Sequence, residues 1–357
     1  MKGFVIGMIV VVVVIIIGLG VILGMGLMGT LPDFGFIGEP ELVNRQSWDA
    51  SSLDDISVIY KSESITLLPS SGDEVVLEEY MSRSDERMLA RVNQNGSTLN
   101  IESGERPITI LSFWRAKIKV YVPSKWLGDL ELGTSSGSVR SEDSFAFKSF
   151  RATSKSGSVR MKGIETDGDI TMTASSGSVS SEHLNAGGRV ELSSTSGSVK
   201  PGRVTAQEIT GKSSSGSVRF ESAGAQRVTA SSSSGGVSFD RLDGEFDLHS
   251  SSGSVRVEAG NAYGRAESSS GGGNVTIDKL VGNITLSAKS GSSKLYLPSD
   301  SSFNFEGRVN SGSIRTPNND GLAFNQSGKR ATGSFGSDPQ YNVDMESSSG
   351  SVNVEWN

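Results

Sequence analysis

The chain has 357 residues, a formal net charge of −7 at pH 7 and no cysteine. The length suffices for one large domain or two ordinary ones, and the acidic balance argues against a nucleic-acid partner, which normally requires a basic surface. The absence of cysteine excludes disulfides, zinc–thiolate sites and iron–sulfur clusters, so an extracellular chain of this composition is stabilised by its fold alone.

The N-terminal segment is predicted to be a membrane anchor. Residues 4–28 form an uncharged apolar run, and about 20 such residues suffice to span a bilayer as a helix. The run is longer than the apolar core of a cleaved signal peptide, which is the alternative. We therefore expect residues 1–29 to form one uncleaved transmembrane helix in the cell membrane. Lys2 precedes the run, which places the N-terminus in the cytoplasm and the rest of the chain outside.

The anchor is followed by a short linker and an irregular β region. Residues 30–47 contain two prolines and two glycines and are predicted to be the linker. Residues 48–129 contain segments in which apolar and polar residues partly alternate, as in β-strands. These segments are residues 55–62, 73–81, 97–103 and 116–123. We expect 48–129 to form the N-terminal cap and first irregular coils of a longer β-structure, because an open sheet end exposes unpaired strand edges. A separate β-domain is the alternative.

Residues 130–357 are built on a repeat whose centre reads Ser-Gly-Ser-Val. The copies align on Gly137, Gly157, Gly177, Gly197, Gly216, Gly235, Gly253, Gly273, Gly291, Gly312 and Gly350. Successive glycines are 18 to 21 residues apart, except for the last pair, which is 38 apart. We interpret this last spacing as two periods with one degenerate copy between them. A fixed period of about 20 residues predicts a solenoid whose coils stack on one another.

Columns of apolar residues accompany the repeat and indicate strands. The position seven before each glycine is apolar in every copy, from Leu130 to Val343, and the position five before it is apolar or glycine in ten of eleven. Inward-facing positions two apart are typical of β-strands. Valine stands two after the glycine in nine of eleven copies. The sequence therefore predicts an all-β fold, a single-chain parallel β-solenoid (β-helix) of about 20-residue coils, each with about three short strands.

The Ser-Gly corner is predicted to be a stacking device. We expect its glycine to adopt φ > 0, which lets the backbone turn tightly without a side-chain clash. We expect its serine hydroxyls to bond to the serine or backbone of the next coil, as polar ladders do in other in-register sheets. At a strand spacing of ~4.8 Å, about twelve coils from residue 130 onward would extend roughly 57 Å.

Three parts of the sequence resemble a known family. They are the tandem Ser-Gly-Ser-Val corners, the segment AKIKVYVPSKW at residues 116–126 and the final SSSGSVNVEW. It is the adhesin-like family of β-strand-repeat domains of bacteria and archaea, and head-domain adhesins with solenoids are also similar. The resemblance covers most of residues 48–357. It implies a β-repeat fold and a location at the cell envelope. The family is largely of unknown function and has no known catalytic residues to carry over.

No pattern of catalytic or metal-ligating residues stands out. The two histidines, His183 and His249, are 66 residues apart. Ser135 is the centre of a Gly-x-Ser-x-Gly pattern, but this is one copy of the repeat, whereas a nucleophile elbow needs a strand-to-helix turn. Asp167 and Asp169 suggest calcium, but glycine-rich calcium repeats need an aspartate in every copy. We therefore expect no enzyme activity, no cofactor and no metal.

Two columns of charged residues form the candidate binding surface. Directly after the valine position stand Arg140, Arg160, Lys200, Arg219, Arg256, Lys294 and Arg315. Two positions further on stand Glu142, Glu182, Glu221, Asp240, Glu258, Asp278 and Glu355. One interpretation is a face of ion pairs that keeps the molecule soluble. The functional alternative is a basic stripe that holds an anionic polymer, although the flanking acids weaken its field.

The sequence thus predicts a membrane-anchored, non-catalytic cell-surface protein with an adhesin-like binding or structural role in the cell envelope. Its expected partners are the membrane, through residues 4–28, and an anionic cell-envelope polymer or another surface protein. The first alternative is a homo-oligomeric rod that joins end to end and needs weakly capped, matching ends. The second is a β-helix enzyme that acts on polysaccharides and needs a cleft with clustered carboxylates or arginines.

Overall fold

A computed structural model describes residues 39–106 and 115–357. The predicted anchor at residues 4–28 and the first half of the predicted linker, residues 30–38, lie outside these ranges, while residues 41–47 of that linker belong to a strand. In the ranges that are described, no helix is long and apolar enough to cross a membrane. The described chain is all-β, as predicted, with short 3₁₀ turns at Ala50–Ser52 and Glu86–Met88.

The strands of the first half are β1 (Glu41–Asp49), β2 (Asp55–Tyr60), β3 (Ser64–Ser70), β4 (Glu74–Met81), β5 (Arg91–Asn95), β6 (Thr98–Glu102), β7 (Ala116–Pro123), β8 (Asp129–Thr134), β9 (Val139–Ser141), β10 (Ser144–Phe147), β11 (Ser149–Ser154), β12 (Val159–Thr166), β13 (Ile170–Ala174) and β14 (Val179–Ala186). The strands of the second half are β15 (Arg189–Ser194), β16 (Val199–Thr205), β17 (Glu208–Ser213), β18 (Val218–Phe220), β19 (Ser222–Ser232), β20 (Val237–Ser250), β21 (Val255–Ser268), β22 (Gly273–Ala288), β23 (Ser293–Leu297), β24 (Phe303–Val309), β25 (Ile314–Arg315), β26 (Leu322–Phe324), β27 (Arg330–Phe335), β28 (Tyr341–Ser347) and β29 (Val352–Trp356).

From β8 to β23, each coil of about 20 residues lies on the next with its strands parallel. Leu130 pairs with Phe150, which in turn pairs with Ile170 one coil later. The apolar columns face inward, and Leu132 and Met172 are completely buried. The alternation of apolar and polar residues therefore predicts the core correctly throughout this region.

The corner glycines are required for a different reason from the one predicted. Among the described residues, positive φ occurs only at Gly96, Gly244, Gly264, Gly321, Gly328 and Gly336, and none of these is a corner glycine. The prediction of φ > 0 is wrong. A Cβ at Gly157 would instead lie 2.1 Å from the carbonyl oxygen of Gly137, the corner glycine of the preceding coil. Glycine is needed because the two backbones approach too closely for any side chain.

A ladder of buried serine hydroxyls joins most successive corners, as predicted, and is interrupted where Ala174 and Ala288 take the serine's place. The serine three residues before the corner glycine donates to the carbonyl oxygen of the corner glycine one coil earlier. These pairs are Ser154 with Gly137, Ser194 with Gly177, Ser213 with Gly197, Ser232 with Gly216, Ser250 with Gly235, Ser268 with Gly253 and Ser347 with Gly291, at 2.7–2.9 Å. A second ladder uses the serine after the glycine: the Ser158 amide donates to Ser138 Oγ and the Ser178 amide to Ser158 Oγ.

One repeat is aligned differently from the prediction. Gly271, not Gly273, occupies the corner column. This is shown by its close approach to the preceding corner, since a Cβ at Gly271 would lie 2.5 Å from the carbonyl oxygen of Gly253. Gly273 pairs instead with Val255. Residues 271–273 are three consecutive glycines. The amino-acid sequence alone therefore does not show which of them is the corner glycine.

The coils do not stack in chain order at either end of the molecule. At the N-terminal end, β2 lies between β6 and β8, and β3 lies between β7 and β9. At the C-terminal end, β28 lies between β22 and β24, and β29 lies between β23 and β25. The final segment of the chain is thus inserted before the coil that precedes it in sequence. The prediction of a degenerate coil between Gly312 and Gly350 is wrong, since Gly350 stacks directly on Gly291.

Antiparallel strands cover both ends of the stack. At the N-terminal end, β4 pairs with β7, β1 pairs with β4, and β5 pairs with β6. At the C-terminal end, β27 pairs with β24 and β26 pairs with β27. Phe303, Phe335 and Trp356 pack together there, with the rings of Phe303 and Phe335 5.0 Å apart. These strands occupy edges that would otherwise recruit another chain. The domain boundaries drawn from sequence at residues 29, 47 and 129 stay predictions.

Candidate functional site

All seven predicted basic residues lie in one row along the stack, because each takes the same position on its strand. Arg140 pairs directly with Arg160. In spatial order the row contains Lys119, Thr66, Arg140, Arg160, Ser180, Lys200, Arg219, Ser238, Arg256, Asn274, Lys294, Asn353 and Arg315. We call these thirteen positions the basic row. Every one of them is basic or neutral, and none is acidic.

Lys119 belongs to the basic row but was missed by the sequence analysis. It pairs with Thr66 across parallel strands. Its ammonium group lies 4.4 Å from the centre of the Tyr80 ring. The hydrogen bond to the Tyr80 hydroxyl raises the pKa of Lys119 above its ordinary value. Lys119 lies where the repeat is irregular, so only the observed pairing reveals its position.

The two sides of the basic row differ in charge. The corner side carries only serine and glycine, from Ser138 at one end to Ser313 at the other. On the other side, two residues along each strand, six acids stand at Glu142, Glu182, Glu221, Asp240, Glu258 and Glu355, and three of them are in consecutive middle coils. Asp278 is not among them, contrary to prediction, because Thr276 pairs with Glu258 and takes that place. This error follows from the misaligned repeat at Gly271.

Only the centre of the basic row is neutralised by ion pairs. Arg219 lies 2.9 Å from Asp240 of the next coil, and Arg256 lies 3.2 Å from Glu258 on its own strand. Within the described part of the chain, the row members Arg160, Lys200, Lys294 and Arg315 form no ion pair. The interpretation as an ion-paired face therefore applies to the centre, whereas these four flank cations lack a direct ion-pair partner among the described residues.

The residues considered for catalysis do not come together. Ser135 lies in a corner, where its amide donates to the carbonyl oxygen of Tyr60. His183 stands beside Gly163 and Arg203 in the sheet, whereas His249 lies three coils further along the stack, 3.6 Å from Glu267. Across residues 39–106 and 115–357 there is no group of three side chains able to hold a metal ion.

The comparisons with known proteins agree with this architecture. Residues 53–200 and 166–355 match the sequence model of the Toastrack DUF4097 family, and the chain belongs to that family. The match confirms the predicted resemblance to adhesin-like β-repeat proteins. No curated protein matches the chain.

Several solved structures are similar to this chain at low identity. A candidate adhesin from Parabacteroides distasonis is 12% identical, with 88% of this chain and 97% of that chain covered and a TM-score of 0.40. A candidate adhesin from Parabacteroides merdae is 11% identical, with 88% and 96% covered and a TM-score of 0.37. A candidate cell adhesion protein from Clostridium sporogenes is 10% identical, with 89% and 100% covered and a TM-score of 0.21.

Proposed function

We propose that the chain is a single-chain parallel β-solenoid, anchored in the cell membrane by residues 4–28, that binds an anionic polymer of the cell envelope and catalyses no reaction. The observation that carries this proposal is the basic row, in which thirteen consecutive positions include no acid. Successive coils are about 4.8 Å apart, the spacing of strands in a sheet. A polymer with regularly spaced anionic groups can therefore contact many coils at once.

Binding to such a row is multivalent. Each exposed cation contributes little alone, because water and salt screen it. Several cations held on one rigid face act together, since the first contact raises the effective concentration of the next anionic group. The serine-rich corner beside the row adds neutral hydroxyl donors and no competing acid. A linear polyanion is thus favoured over a small anion.

The covered ends of the stack support a binding protein over a rod that joins end to end. Such a rod needs matching, open edges. Here β1, β4 and β5 lie over one end and β26 and β27 over the other, so these two caps differ in strand number and sequence. We propose a monomeric display element, with β1 nearest the membrane because, of the described strands, it is the first after the predicted anchor.

Retention by envelope material tests the proposal. The full chain, purified in detergent micelles, is incubated with protein-depleted cell-envelope fractions and recovered by sedimentation. Reversal of four basic-row charges by arginine-to-glutamate changes at Arg140, Arg160, Arg219 and Arg256 should abolish retention. A matched control reverses four exposed cations outside the row, at Arg151, Arg189, Lys212 and Arg241, and should be retained like the wild type. Equal retention of both variants, or no retention of the wild type, would contradict the proposal.

A further inference from the structure

We infer that a second site, distinct from the basic row and beyond the proposed function, binds a neutral saccharide chain. It is an open groove of about 650 Å³ on the face formed by β19, β20, β21, β22 and the start of β28. Its walls carry two tyrosines, Tyr263 and Tyr341, together with charged, amide and hydroxyl side chains. This combination differs from the basic row proposed to bind the polyanion, in which no aromatic residue occurs.

The floor of the groove consists of two rows of outward-facing residues on neighbouring positions. The first row runs from Arg227 to Glu245 to Tyr263 across successive coils. In the second row, Arg265 pairs with Asp247 on one side and with Thr285 on the other. Tyr263 thus stands at the end of a polar row, beside a second polar row that continues past it.

A β-bulge positions Tyr263. Ala262 pairs with Leu280 and Gly264 pairs with Ile284, so three residues, 281–283, lie opposite Tyr263 alone. A Cβ at Gly282 would lie 2.4 Å from Cγ of Tyr263, so the tyrosine ring occupies the space left by that glycine. Bulges of this kind re-aim side chains next to binding sites. The side chain remains 36% exposed, although it is large and aromatic.

Two glycines with positive φ lie at this wall, Gly264 in the lining of the groove and Gly244 directly before the lining residue Glu245. Gly244 and Gly264 adopt φ of +118° and +140°, and a Cβ would lie 1.8 Å from the carbonyl oxygen of Ala225 and 2.0 Å from that of Phe246, respectively. The strand register also shifts here in three successive coil pairs. Conformations that only glycine tolerates persist where the surrounding structure imposes them, and they cluster at functional sites.

The opposite wall comes from the last segment of the chain. Gln340 and Tyr341 reach the groove because β28 is inserted next to β22 rather than after β24. Asn283, in the bulge, fixes this segment by accepting a 2.9 Å hydrogen bond from the backbone amide of Asn342. The groove therefore exists only because the final coil is out of chain order.

The charges in the groove favour a neutral ligand. Arg227 is paired with Glu245 at 2.9 Å, and Arg265 is paired with Glu267. The two arginines and two acids of the lining cancel, so a polyanion gains no net attraction. Among the described residues, Asp247, Thr285, Gln340 and the two tyrosine hydroxyls have no side-chain hydrogen-bond partner. These groups are available to donate to and accept from ligand hydroxyls.

The same lining distinguishes a saccharide from a peptide. A tyrosine ring offers an apolar face and a polar tip, which matches a sugar ring with its C–H face and its hydroxyl rim. The groove offers no open pocket for an aliphatic side chain, because its other apolar lining residue, Phe246, is buried. It also offers no free strand edge for β-augmentation, since β20, β21 and β22 are each paired on both sides. We therefore assign the groove to a neutral oligosaccharide or polysaccharide segment.

Calorimetric titration of the full chain in micelles with cellotetraose, chitotetraose and maltotetraose, each used separately, tests this inference. At least one of these neutral probes should bind with a dissociation constant of about 1 mM or tighter, which corresponds to about 4 kcal/mol. Tyr263→Ala should weaken that binding at least about tenfold, since aromatic contacts dominate such sites. Tyr296→Ala, a tyrosine change outside the groove, should leave it unchanged.

Two further variants separate this inference from the proposed function and from misfolding. Gly282→Ala displaces the ring of Tyr263 and should also weaken saccharide binding. The double variant Arg160→Gln with Lys200→Gln should leave saccharide binding intact but reduce retention by envelope fractions. Tyr263→Ala should keep the far-UV circular dichroism spectrum and the cooperative thermal transition of the wild type, which excludes misfolding as the cause of lost binding. Absence of binding by all three probes, or unchanged binding by Tyr263→Ala, would overturn the inference.

Discussion

The hydroxyl of Ser154 donates a 2.7 Å hydrogen bond to the carbonyl oxygen of Gly137 and accepts a 2.8 Å hydrogen bond from the amide of Gly157. One side chain thus joins its own corner to the corner of the preceding coil. The arrangement recurs along the stack, so the Ser-x-x-Gly spacing satisfies buried backbone groups that the sheet ladders do not reach. It also holds the corners close enough that only glycine fits.

Loss of one serine hydroxyl from the ladder should lower the stability of the fold. Ser194→Ala removes the bonds to the carbonyl oxygen of Gly177 and from the amide of Gly197. Both backbone groups, which are partly buried, then lose these partners, and we expect a cost of about 1 kcal/mol or more. The change should appear as a lower thermal midpoint by circular dichroism. Ser196→Ala, an exposed serine of the same corner, is the control and should be neutral. Equal midpoints for the two variants would show that the ladder does not stabilise the stack.

A methyl group at a corner should be still more disruptive. A Cβ at Gly197 would lie 2.2 Å from the carbonyl oxygen of Gly177. Because two backbones must separate to admit it, Gly197→Ala should destabilise the fold by at least the ~1–3 kcal/mol typical of overpacking. Gly224→Ala is the matched control, since nothing lies within 4 Å of its added Cβ. A neutral Gly197→Ala in urea unfolding would contradict the close approach of the corners.

The order of the last coils can be tested by engineered disulfides, because the chain has no cysteine of its own. Thr285 pairs with Asp344, whereas Glu306 would be the neighbour of Thr285 if the coils followed chain order. Cysteines at 285 and 344 should cross-link on mild oxidation, because in-register neighbours place their Cβ atoms within disulfide reach. Cysteines at 285 and 306 should not. Mass spectrometry of the oxidised variants distinguishes the two orders, and the reverse result would refute the insertion of β28.

Acid should weaken one contact between coils in a predictable direction. Burial alone would raise the pKa of the Asp129 carboxyl, but hydrogen bonds from Lys148 and Ser149 outweigh it and hold the pKa below its ordinary value. A folded-state pKa below the unfolded value of about 3.9 means that the stabilisation is complete above that pH. It is lost as the pH falls through the folded-state pKa.

The thermal midpoint of the wild type should therefore fall more steeply below pH 4 than that of Asp129→Asn. The control is Asp167→Asn, since Asp167 is exposed and its carboxylate has no partner in the part of the chain that the structure describes. That control should follow the wild type. Parallel curves for the wild type and Asp129→Asn would show that the carboxylate contributes nothing.

The periodic sequence predicts which residues share a face far better than which coils are neighbours. The inward columns and the seven basic residues follow from position within the repeat, because every copy takes the same place on its coil. The order of the terminal coils does not follow, since β24 and β28 offer the same pattern to β22. The tertiary arrangement of the caps selects between them.

Features that break the period escaped prediction for the same reason. Lys119 lies in the basic row although its coil is irregular. The orientation of Tyr263 is set by a β-bulge that is not recognisable in the amino-acid sequence. The spacing of the repeat identifies the corner glycines but not the reason that glycine is required there. A sequence shows that a side chain is excluded, whereas only the structure shows whether φ or a neighbouring backbone excludes it.

The paired and unpaired parts of the basic row offer the most direct test of polyanion binding. The dissociation constant of the full chain for polyphosphate is measured over a series of salt concentrations. Arg160→Gln with Lys200→Gln removes two cations without ion-pair partners, so the slope of log K against log salt should shrink by about two, roughly one for each lost phosphate contact. Arg219→Gln with Arg256→Gln removes two cations already neutralised by Asp240 and Glu258, and its slope should change less. An unchanged slope for the Arg160 and Lys200 variant would contradict polyanion binding by the basic row.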